Sequence, residues 1–491
     1  MESVTGASSN FVNDVMKYNN LGAGSIYDKP ESSATQWSLM SYLARINYSL
    51  YDRYLFSVNG RVDGSSRFGG NNKYGFFPSG SVAWRISEEG FMEPVKAVIN
   101  NLKLRTSYGF TGNTEIGVYE SLATLGSNSW TIGNQLVSGF YPNRIPNPDL
   151  KWEKTGQFDI GFDLGLFNNR LRLTADYYYK KTTDLLYNVA IPSASGYDSM
   201  LKNIGSVQNK GYELSIESDN LSGAFSWTTA FNISFNRNKV LELGGETYKD
   251  VGTYDDHLKT SDIRRLIVGQ PIGVFYGYRF DGIFQNEAEC AQQTSSPSPI
   301  GVGLRRYKDL NGDGKIDATN DREILGDANP KFFGGMTNTF AYKGFELNVF
   351  LQYSYGNKIF NYNAMELESP TGGQNVYQDL VNRWTPTNPS NEYQKATTNR
   401  NNIVSDRFIE DGSFLKLKTV SLSYSFPKLN WKHIGGLRLY VTGQNLLTWT
   451  KYRGYDPEVS YRGASTLEAG EDFGGYPQAR TFMFGIKLDI K

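Results

Sequence analysis

The sequence predicts an all-β fold, namely an antiparallel portion of a transmembrane β-barrel. Segments of about 9–14 residues, the length of a tilted strand that crosses a bilayer, alternate apolar and polar side chains. The connections between these segments are alternately short and long. Aromatic residues make up 14% of the chain and glycines number 51, which is typical of strands, turns and interfacial girdles. No apolar run of about 18 residues occurs, so no transmembrane helix is predicted.

Thirteen segments show the alternation. They are 37–49, 53–63, 76–86, 101–111, 155–167, 169–181, 205–218, 224–237, 331–342, 345–357, 413–426, 436–450 and 478–490. A soluble sheet would bury the apolar face, whereas a membrane barrel turns that face to lipid and its polar face to a water-filled lumen. The lumen-facing candidates on three neighbouring strands are Asp159, Asp163, Arg170, Arg172, Asp176, Lys180, Glu213 and Glu217.

The connections between the predicted strands fall into two groups, short turns and long polar connections. Short turns are predicted at Tyr51-Asp52, Asn168-Asn169, Ser222-Gly223 and Lys343-Gly344, and long polar connections at 64–75, 112–154, 182–204, 238–330, 358–412 and 451–477. Outer-membrane barrels have short periplasmic turns and long extracellular loops, so this sorting favours the membrane barrel. A further alternating segment, 273–284, would break the order of crossings. We therefore place it inside the extracellular loop 238–330, as a local hairpin strand.

The same order of crossings sets the expected domain organisation. Residues 1–36 are the remnant of an extracellular loop, and 37–491 form the barrel portion, which ends in the periplasm. Because bacterial single-chain barrels have even strand numbers, thirteen strands predict part of a larger barrel. The opening residues MESVTGASSNFVNDV lack the basic and apolar regions of a signal peptide.

Composition excludes several classes of function. Fifty basic and fifty acidic residues give zero net charge, without the basic excess of a nucleic-acid-binding protein. One cysteine, Cys290, and two histidines, His257 and His433, exclude a disulfide framework and a Cys/His zinc site. Neither histidine has a nucleophile motif nearby. Carboxylate pairs such as Asp159/Asp163 and Glu213/Glu217 have the residue types of a glycosidase, but a hydrated lumen wall is the simpler interpretation. We expect no enzymatic activity.

One motif has the spacing of a calcium loop. Its candidate ligands are Asp309, Asn311, Asp313, Lys315 through its carbonyl, Asp317 and Asp321. Oxygen ligands at the first, third and fifth positions, with glycine at the sixth, are how an EF-hand-type loop wraps calcium. Position twelve is Asn320, however, and the acidic Asp321 comes one residue late. The alternative is an Asx-rich turn that needs no metal. No cofactor is required by the sequence; a structural calcium ion is one prediction for this loop.

Several blocks of sequence resemble one transporter family. RVDGSSRFGGNNKYGFFPSGSVAWRISEEGFM (61–92), NPDLKWEKTGQFDIGFDL (147–164), YKDLNGDGKID (307–317) and LRLYVTGQNLLTWTKYRGYDPE (437–458) occur in the order found in SusC/RagA-type TonB-dependent transporters. Further blocks at 102–113, 275–284, 410–427 and 476–490 extend the resemblance over nearly the whole chain. The sequence is therefore identified as a member of this family, in its C-terminal part.

The resemblance implies an outer-membrane barrel of about 22 strands with a plug inside. The plug, the signal peptide and about nine strands would precede this chain. It implies import of oligosaccharides or peptides with a SusD-like surface lipoprotein, and energy from the TonB complex acting through the plug. The C-terminal strand resembles the signal read by the barrel-assembly machinery, and the outer wall would contact outer-membrane lipid. The substrate-binding residues are not predicted.

Two other interpretations stay open on the sequence. One is a surface β-barrel that binds or adheres without active transport. The other is a secreted, soluble β-rich enzyme that processes glycans. The repeated apolar faces argue against the enzyme, and solubility without detergent would exclude both membrane interpretations.

Overall fold

One antiparallel sheet organises the chain in the computed structural model. The structure describes residues 2–13, 15, 19–28, 30–197, 199–252, 263–369, 375–398, 402–426, 434–458, 460–463 and 465–490. The sheet has thirteen strands, each paired with its neighbours in sequence, so it is a continuous meander with its first and last strands at the edges. The strands are β1 (Leu39–Leu50), β2 (Tyr54–Ser65), β3 (Tyr74–Arg85), β4 (Ile99–Asn113), β5 (Glu153–Leu166), β6 (Leu171–Thr183), β7 (Ser206–Leu221), β8 (Phe225–Glu242), β9 (Phe332–Tyr342), β10 (Phe345–Tyr355), β11 (Phe414–Ser425), β12 (Ile434–Thr450) and β13 (Thr481–Ile490).

All thirteen predicted strands are confirmed. The largest difference in a boundary is at the end of β8, which continues to Glu242 instead of stopping at 237. The extension follows from pairing, because Val240 and Glu242 remain in register with Val207 and Ser206 of β7. Alternation alone did not reveal this continuation.

The short turns have the backbone that their residues predict. Lys343 and Gly344 alone separate β9 from β10, and both have positive φ, at 45° and 88°. This is the conformation that two-residue hairpins require. The turn after β5 is longer than predicted: Phe167 joins Asn168 and Asn169 at positive φ, and pairing resumes between Leu166 and Leu171.

The long connections all leave the opposite end of the sheet and contain short elements of their own. Outside the thirteen-stranded sheet, the strands are Glu2–Thr5, Ser8–Ser9, Ile26–Tyr27, Glu31–Ala34, Thr124–Ile132, Gln135–Arg144, Leu186–Ala190, Ser199–Asn203, Tyr248–Val251, Arg264–Ile267, Val274–Tyr278, Phe280–Ile283, Arg305–Tyr307, Arg322–Asp327, Lys358–Asn361, Ile409–Asp411 and Glu471–Asp472. The α-helices are Glu287–Cys290 and Tyr362–Leu367, and the 3-10 helices are Leu21–Ala23, Gly70–Asn72, Ile86–Glu88, Gly90–Val95, Ser193–Ser195, Gln378–Asn382 and Asp406–Phe408. In the part of the chain that the structure describes, no helix has the length and hydropathy to span a membrane.

The segment 273–284 lies outside the large sheet, as predicted, but it is not one hairpin strand. Val274–Tyr278 belongs to a four-stranded sheet, whereas Phe280–Ile283 pairs with Arg305–Tyr307. The loop between β8 and β9 is therefore a folded unit with two small sheets.

The register gives the large sheet an apolar face and a polar face. Directly paired residues of antiparallel strands point to the same side, so a row of partners across the sheet shares one face. One such row reads Leu164, Leu173, Ile216 and Phe231 across β5 to β8, and the next reads Gly165, Arg172, Glu217 and Ala230. The alternation seen in single strands thus continues across neighbouring strands.

Buried apolar side chains gather among the long connections. The largest cluster includes Phe275, Phe360, Tyr362, Met365 and Phe408, from the β8–β9 and β10–β11 connections. We call the packed connections at this end of the sheet the loop layer. Its own core means that it is a folded structure and not a set of independent loops.

Candidate functional site: a charged sheet face beneath the loop layer

Ionised side chains cluster on the polar face of β4, β5 and β6. Arg105 lies at the centre, where Nη2 donates to Asp176 Oδ2 at 2.7 Å. Its guanidinium also approaches Asp159 Oδ1 at 3.7 Å and Asp163 Oδ1 at 3.5 Å. Lys103 Nζ lies 3.4 Å from Asp163 Oδ2. Three carboxylates thus share two cations on a partly exposed surface, which gives this face of the sheet a mildly acidic patch.

A second charged group lies nearer the short turns. Arg172 Nε donates to Glu217 Oε2 at 3.0 Å, and its Nη1 lies 3.6 Å from Asp219 Oδ2. Arg170 is different from the prediction, because it lies in the turn before β6 and not within the strand. Its guanidinium donates to the backbone carbonyls of Asp219 and Asn220, so it ties this turn to the last residues of β7.

The remaining predicted residues lie on the same polar face. Glu213 is directly opposite Asp176 in the register of β6 and β7. Lys180 Nζ lies 5.1 Å from the centre of the Tyr178 ring, where it makes a cation–π contact. Seven of the eight predicted side chains therefore share one face, while their exposure to a lumen stays a prediction.

The loop layer contains buried ion pairs that the sequence did not predict. Arg264 and Glu471 are 0% and 1% exposed, and Arg264 Nε lies 3.0 Å from Glu471 Oε1. Arg264 also donates to the carbonyls of Gly273 and Ala469. Burial lowers the pKa of Arg264 and raises that of Glu471. This pair ties the β8–β9 connection to the β12–β13 connection, because separating two buried charges is costly.

Glu368 is the centre of a second buried network. Its carboxylate, 1% exposed, contacts Arg407 Nε at 2.8 Å and Arg453 Nη1 at 3.2 Å. Nearby, the Tyr452 hydroxyl donates to Asp472 Oδ2 at 2.5 Å, and burial together with this hydrogen bond raises the pKa of Tyr452. The network fixes the β10–β11 connection against the β12–β13 connection.

A buried lysine joins the first residues of β11 to the loop layer. Lys416, 1% exposed, places Nζ 2.6 Å from Asp456 Oδ1 and 2.5 Å from Glu458 Oε2. Glu458 also accepts from Gln352 of β10 at 2.9 Å. The sheet and the loop layer are therefore one structure at this point.

A cavity of about 370 Å³ lies between the loop layer and the upper ends of β5, β7 and β8. Its lining is largely apolar and includes Leu186, Val207, Val240, Leu266 and Leu467. Tyr187 also lines it, and the Tyr187 hydroxyl is buried without a hydrogen-bond partner among the described residues. The apolar lining of this cavity suits an apolar group.

The predicted calcium loop is held by hydrogen bonds. Asp309 accepts from the backbone N–H groups of Gly312 and Gly314, both at 2.7 Å, and these bonds lower its pKa. Asp321, one residue late in the motif, does return to the loop: it is fully buried and accepts from the N–H groups of Leu310 and Asp317 at 2.8 Å.

The other candidate ligands of that loop follow the same pattern. Asn311 accepts from the N–H group of Asp313, Asp313 from that of Lys315, and Asp317 from those of Thr319 and Asn320. Within the described ranges, no three His, Cys, Asp or Glu side chains are grouped so that they could share a metal ion. The arrangement fits an Asx-rich turn, and calcium binding stays a prediction.

The two histidines, His257 and His433, both lie outside the described residues. Cys290 is buried at the end of a short helix, and burial raises the pKa of its thiol. The geometry of the described residues is therefore that of a charged wall, a folded loop layer and a cavity between them.

This architecture is that of part of an outer-membrane β-barrel, and comparison with known proteins identifies the family. The chain belongs to the TonB-dependent receptor-like β-barrel family, whose model matches residues 3–353. The chain is 40% identical over 496 residues to TonB-dependent receptor P3 of Formosa agariphila, covering 99% of this chain and 49% of that protein. It is 32% identical over 472 residues to TonB-dependent receptor SusC of Bacteroides thetaiotaomicron, covering 93% of this chain and 44% of SusC.

A solved structure supports the same assignment. A chain of the RagAB peptide transporter superposes with a TM-score of 0.83 at 27% sequence identity, covering 99% of this chain and 51% of that one. The chain spans about half the length of these relatives. The fold, the family resemblance and the outer-membrane location predicted from the sequence are confirmed.

Proposed function

We propose that this chain forms part of the wall of a SusC-type nutrient importer. In this proposal the apolar face of the sheet contacts lipid, and the charged face lines a hydrated conduit. The observation that carries it is the opposite chemistry of the two faces: Leu173 and Ile216 occupy one row, while Arg172 and Glu217 form an ion pair in the next. A conduit wall needs water-tolerant charges, and we propose no bond chemistry for it.

The partners follow from the same assignment. We infer that a SusD-like surface lipoprotein covers the loop layer, chiefly the connections predicted at 112–154, 238–330 and 358–412. The buried Arg264–Glu471 pair supports this role, because it fixes one of these connections, 238–330, against the connection 451–477. The TonB complex would act through a plug that lies outside this chain.

The substrate class is narrowed by the cavity under the loop layer. Its apolar lining suits an apolar side chain better than a sugar ring covered with hydroxyls. The related RagAB structure is described as a peptide transporter. We therefore propose peptides as the first substrates to test, with oligosaccharides second.

Uptake in living cells tests the proposal. The full-length transporter would be expressed with its neighbouring lipoprotein, and accumulation of labelled peptide and oligosaccharide mixtures would be compared with and without TonB. We expect TonB-dependent accumulation of one class. Surface binding that is unchanged by loss of TonB, with no accumulation, would favour the binding or adhesion protein instead.

A further inference from the structure

Four basic residues gather on the apolar face of the sheet, at the end nearest the loop layer. Lys210 of β7 and Arg237 of β8 are directly opposite each other. One row further out, Gln208 of β7 lies between Lys181 of β6 and Lys239 of β8. We call Lys181, Lys210, Arg237 and Lys239 the basic belt; all four are exposed.

The basic belt has no acidic counterpart. On the charged face, Arg105 and Arg172 each contact carboxylates. In the belt, by contrast, Arg237 donates only to the carbonyls of Asn236 and Lys331, and none of the four pairs with a carboxylate of the described chain. Like charges placed directly opposite each other destabilise a sheet. The belt therefore places like charges side by side without a compensating carboxylate among the described residues.

Aromatic side chains lie directly below the belt. The Tyr177 and Tyr212 rings are 5.0 Å apart, and with Phe235, Lys210 and Arg237 they line a cavity of about 340 Å³. The cavity therefore has an apolar lower part and a cationic upper part. This is the shape expected where acyl chains meet headgroups.

The position of the belt along the strand matches the edge of a bilayer. Lys181 lies ten residues beyond Leu171, the first residue of β6. At about 3.3 Å per residue and a tilt of about 40°, ten residues rise about 25 Å. That is the height of the apolar band on outer-membrane barrels, so with Leu171 at the inner edge of the band, the belt lies at the level of the outer headgroups.

We propose that the basic belt binds the phosphate groups of an anionic lipid of the outer leaflet. The Arg237 guanidinium would bind phosphate oxygens in a fork, Lys210 would add a point charge, and the aromatic cavity would hold the upper acyl carbons. The inference rests on the proposed assignment of the apolar face to lipid. A free phosphate ion shares the chemistry, so the test separates the two sources.

Native mass spectrometry of the purified full-length transporter tests the site, with bisphosphorylated lipid A as the probe. The variant Lys210→Gln/Arg237→Gln is compared with the charge-matched Lys343→Gln/Lys487→Gln, in which both substitutions lie at the short-turn end of the sheet. We expect retention to fall about tenfold or more in the first variant only. Dephosphorylated lipid A should bind the parent and both variants equally. Equal retention of lipid A in the two variants would overturn the proposal, and so would complete displacement by inorganic phosphate.

Two further measurements test whether each variant forms its barrel and whether this face contacts lipid. Heat-modifiable migration on gels confirms that each variant forms its barrel. A nitroxide at Tyr212→Cys, introduced after Cys290→Ser, reports contact of this face with acyl chains. Lipid contact combined with unchanged lipid A retention would overturn the headgroup site alone. Absence of lipid contact would overturn the face assignment of the proposed function.

Discussion

Arg105 of β4 and Asp176 of β6 form an ion pair across β5, the strand that separates them. Nη2 donates to Oδ2 at 2.7 Å, and Nη1 lies 2.7 Å from Oδ1. The intervening residue of β5 in that register row is Gly161. A Cβ at Gly161 would lie 2.1 Å from Asp176 Oδ1, so only glycine leaves room for this contact. The charged face thus depends on a small residue as much as on charged ones.

Gly161→Ala is expected to destabilise the barrel. Its Cβ would also lie 2.8 Å from the carbonyl oxygen of Ala175, which is backbone and cannot rotate away. Overpacking of this kind costs about 1–3 kcal/mol. Urea unfolding in micelles measures the effect. Gly80→Ala is the matched control, since its Cβ would meet only the Ser57 carbonyl at 3.7 Å. Equal stability of the two variants would contradict the role of Gly161.

A charge on the apolar face should be far more harmful than loss of one on the charged face. Leu214→Arg is expected to lower the free energy of unfolding by about 2–4 kcal/mol, because Leu214 lies at the middle of β7, on the apolar face and within the apolar band. Arg172→Gln removes a half-exposed ion pair with Glu217, and exposed pairs contribute about 1 kcal/mol or less. Unfolding in lipid vesicles compares the two, and equal damage would be incompatible with the assignment of the faces.

Acid should weaken the attachment of the loop layer to β11. Burial alone would raise the pKa of Asp456, but the hydrogen bonds from Lys416 and from backbone N–H groups outweigh it, so the pKa lies below its ordinary value of 3.8. A lowered carboxyl pKa contributes stability that is complete above the unfolded value and is lost as pH falls through the folded one. We expect proteolysis of 451–480 to increase below about pH 4.

Asp456→Asn is the matching variant for this pH dependence. It should make the same segment labile already at pH 7 and should flatten the response to acid. Glu93→Gln, which removes the exposed pair with Lys96 at 3.1 Å, is the control and should behave like the parent. Acid sensitivity that is unchanged in Asp456→Asn would show that another group is responsible.

The loop around Asp321 offers a test of metal binding. Asp321→Ala removes the buried carboxylate that accepts from the N–H groups of Leu310 and Asp317, and a hydrogen bond to a charged group contributes about 1.5–3 kcal/mol. We expect limited proteolysis within 307–321 to accelerate. Millimolar calcium should protect the parent but not the variant, and magnesium should protect neither, because it demands a stricter geometry. A parent that is insensitive to calcium would leave the Asx-rich turn as the whole explanation.

Local sequence patterns predicted the strands and turns of the sheet, but they did not predict the tertiary contacts between distant segments. Period-two alternation located the strands, and Lys343-Gly344 located a turn, because both signals act between near neighbours. Arg264 and Glu471 lie 207 residues apart, so their pairing depends on the packing of two long connections.

The basic belt and the calcium motif also depend on tertiary contacts that local sequence patterns do not predict. Alternation places Lys210 and Arg237 on the apolar side of their strands, but only the register of β7 against β8 makes them neighbours. The spacing of the motif indicates Asp321 as a candidate ligand. Whether its oxygens face a metal or backbone N–H groups, however, depends on how the loop folds. In both cases the missing information is the position of one segment relative to another.

The proposed transporter wall requires that one face of this sheet contacts lipid while the other lines a hydrated conduit. Nitroxide labels on β6 of the full-length transporter, after Cys290→Ser, test this requirement directly. Collision rates with oxygen, which partitions into lipid, and with a water-soluble nickel chelate would be measured in bilayers for Leu173→Cys and Thr174→Cys. We predict high oxygen and low nickel accessibility at Leu173, and the reverse at Thr174. Similar accessibility at both positions, or the opposite order, would contradict the assignment of the two faces.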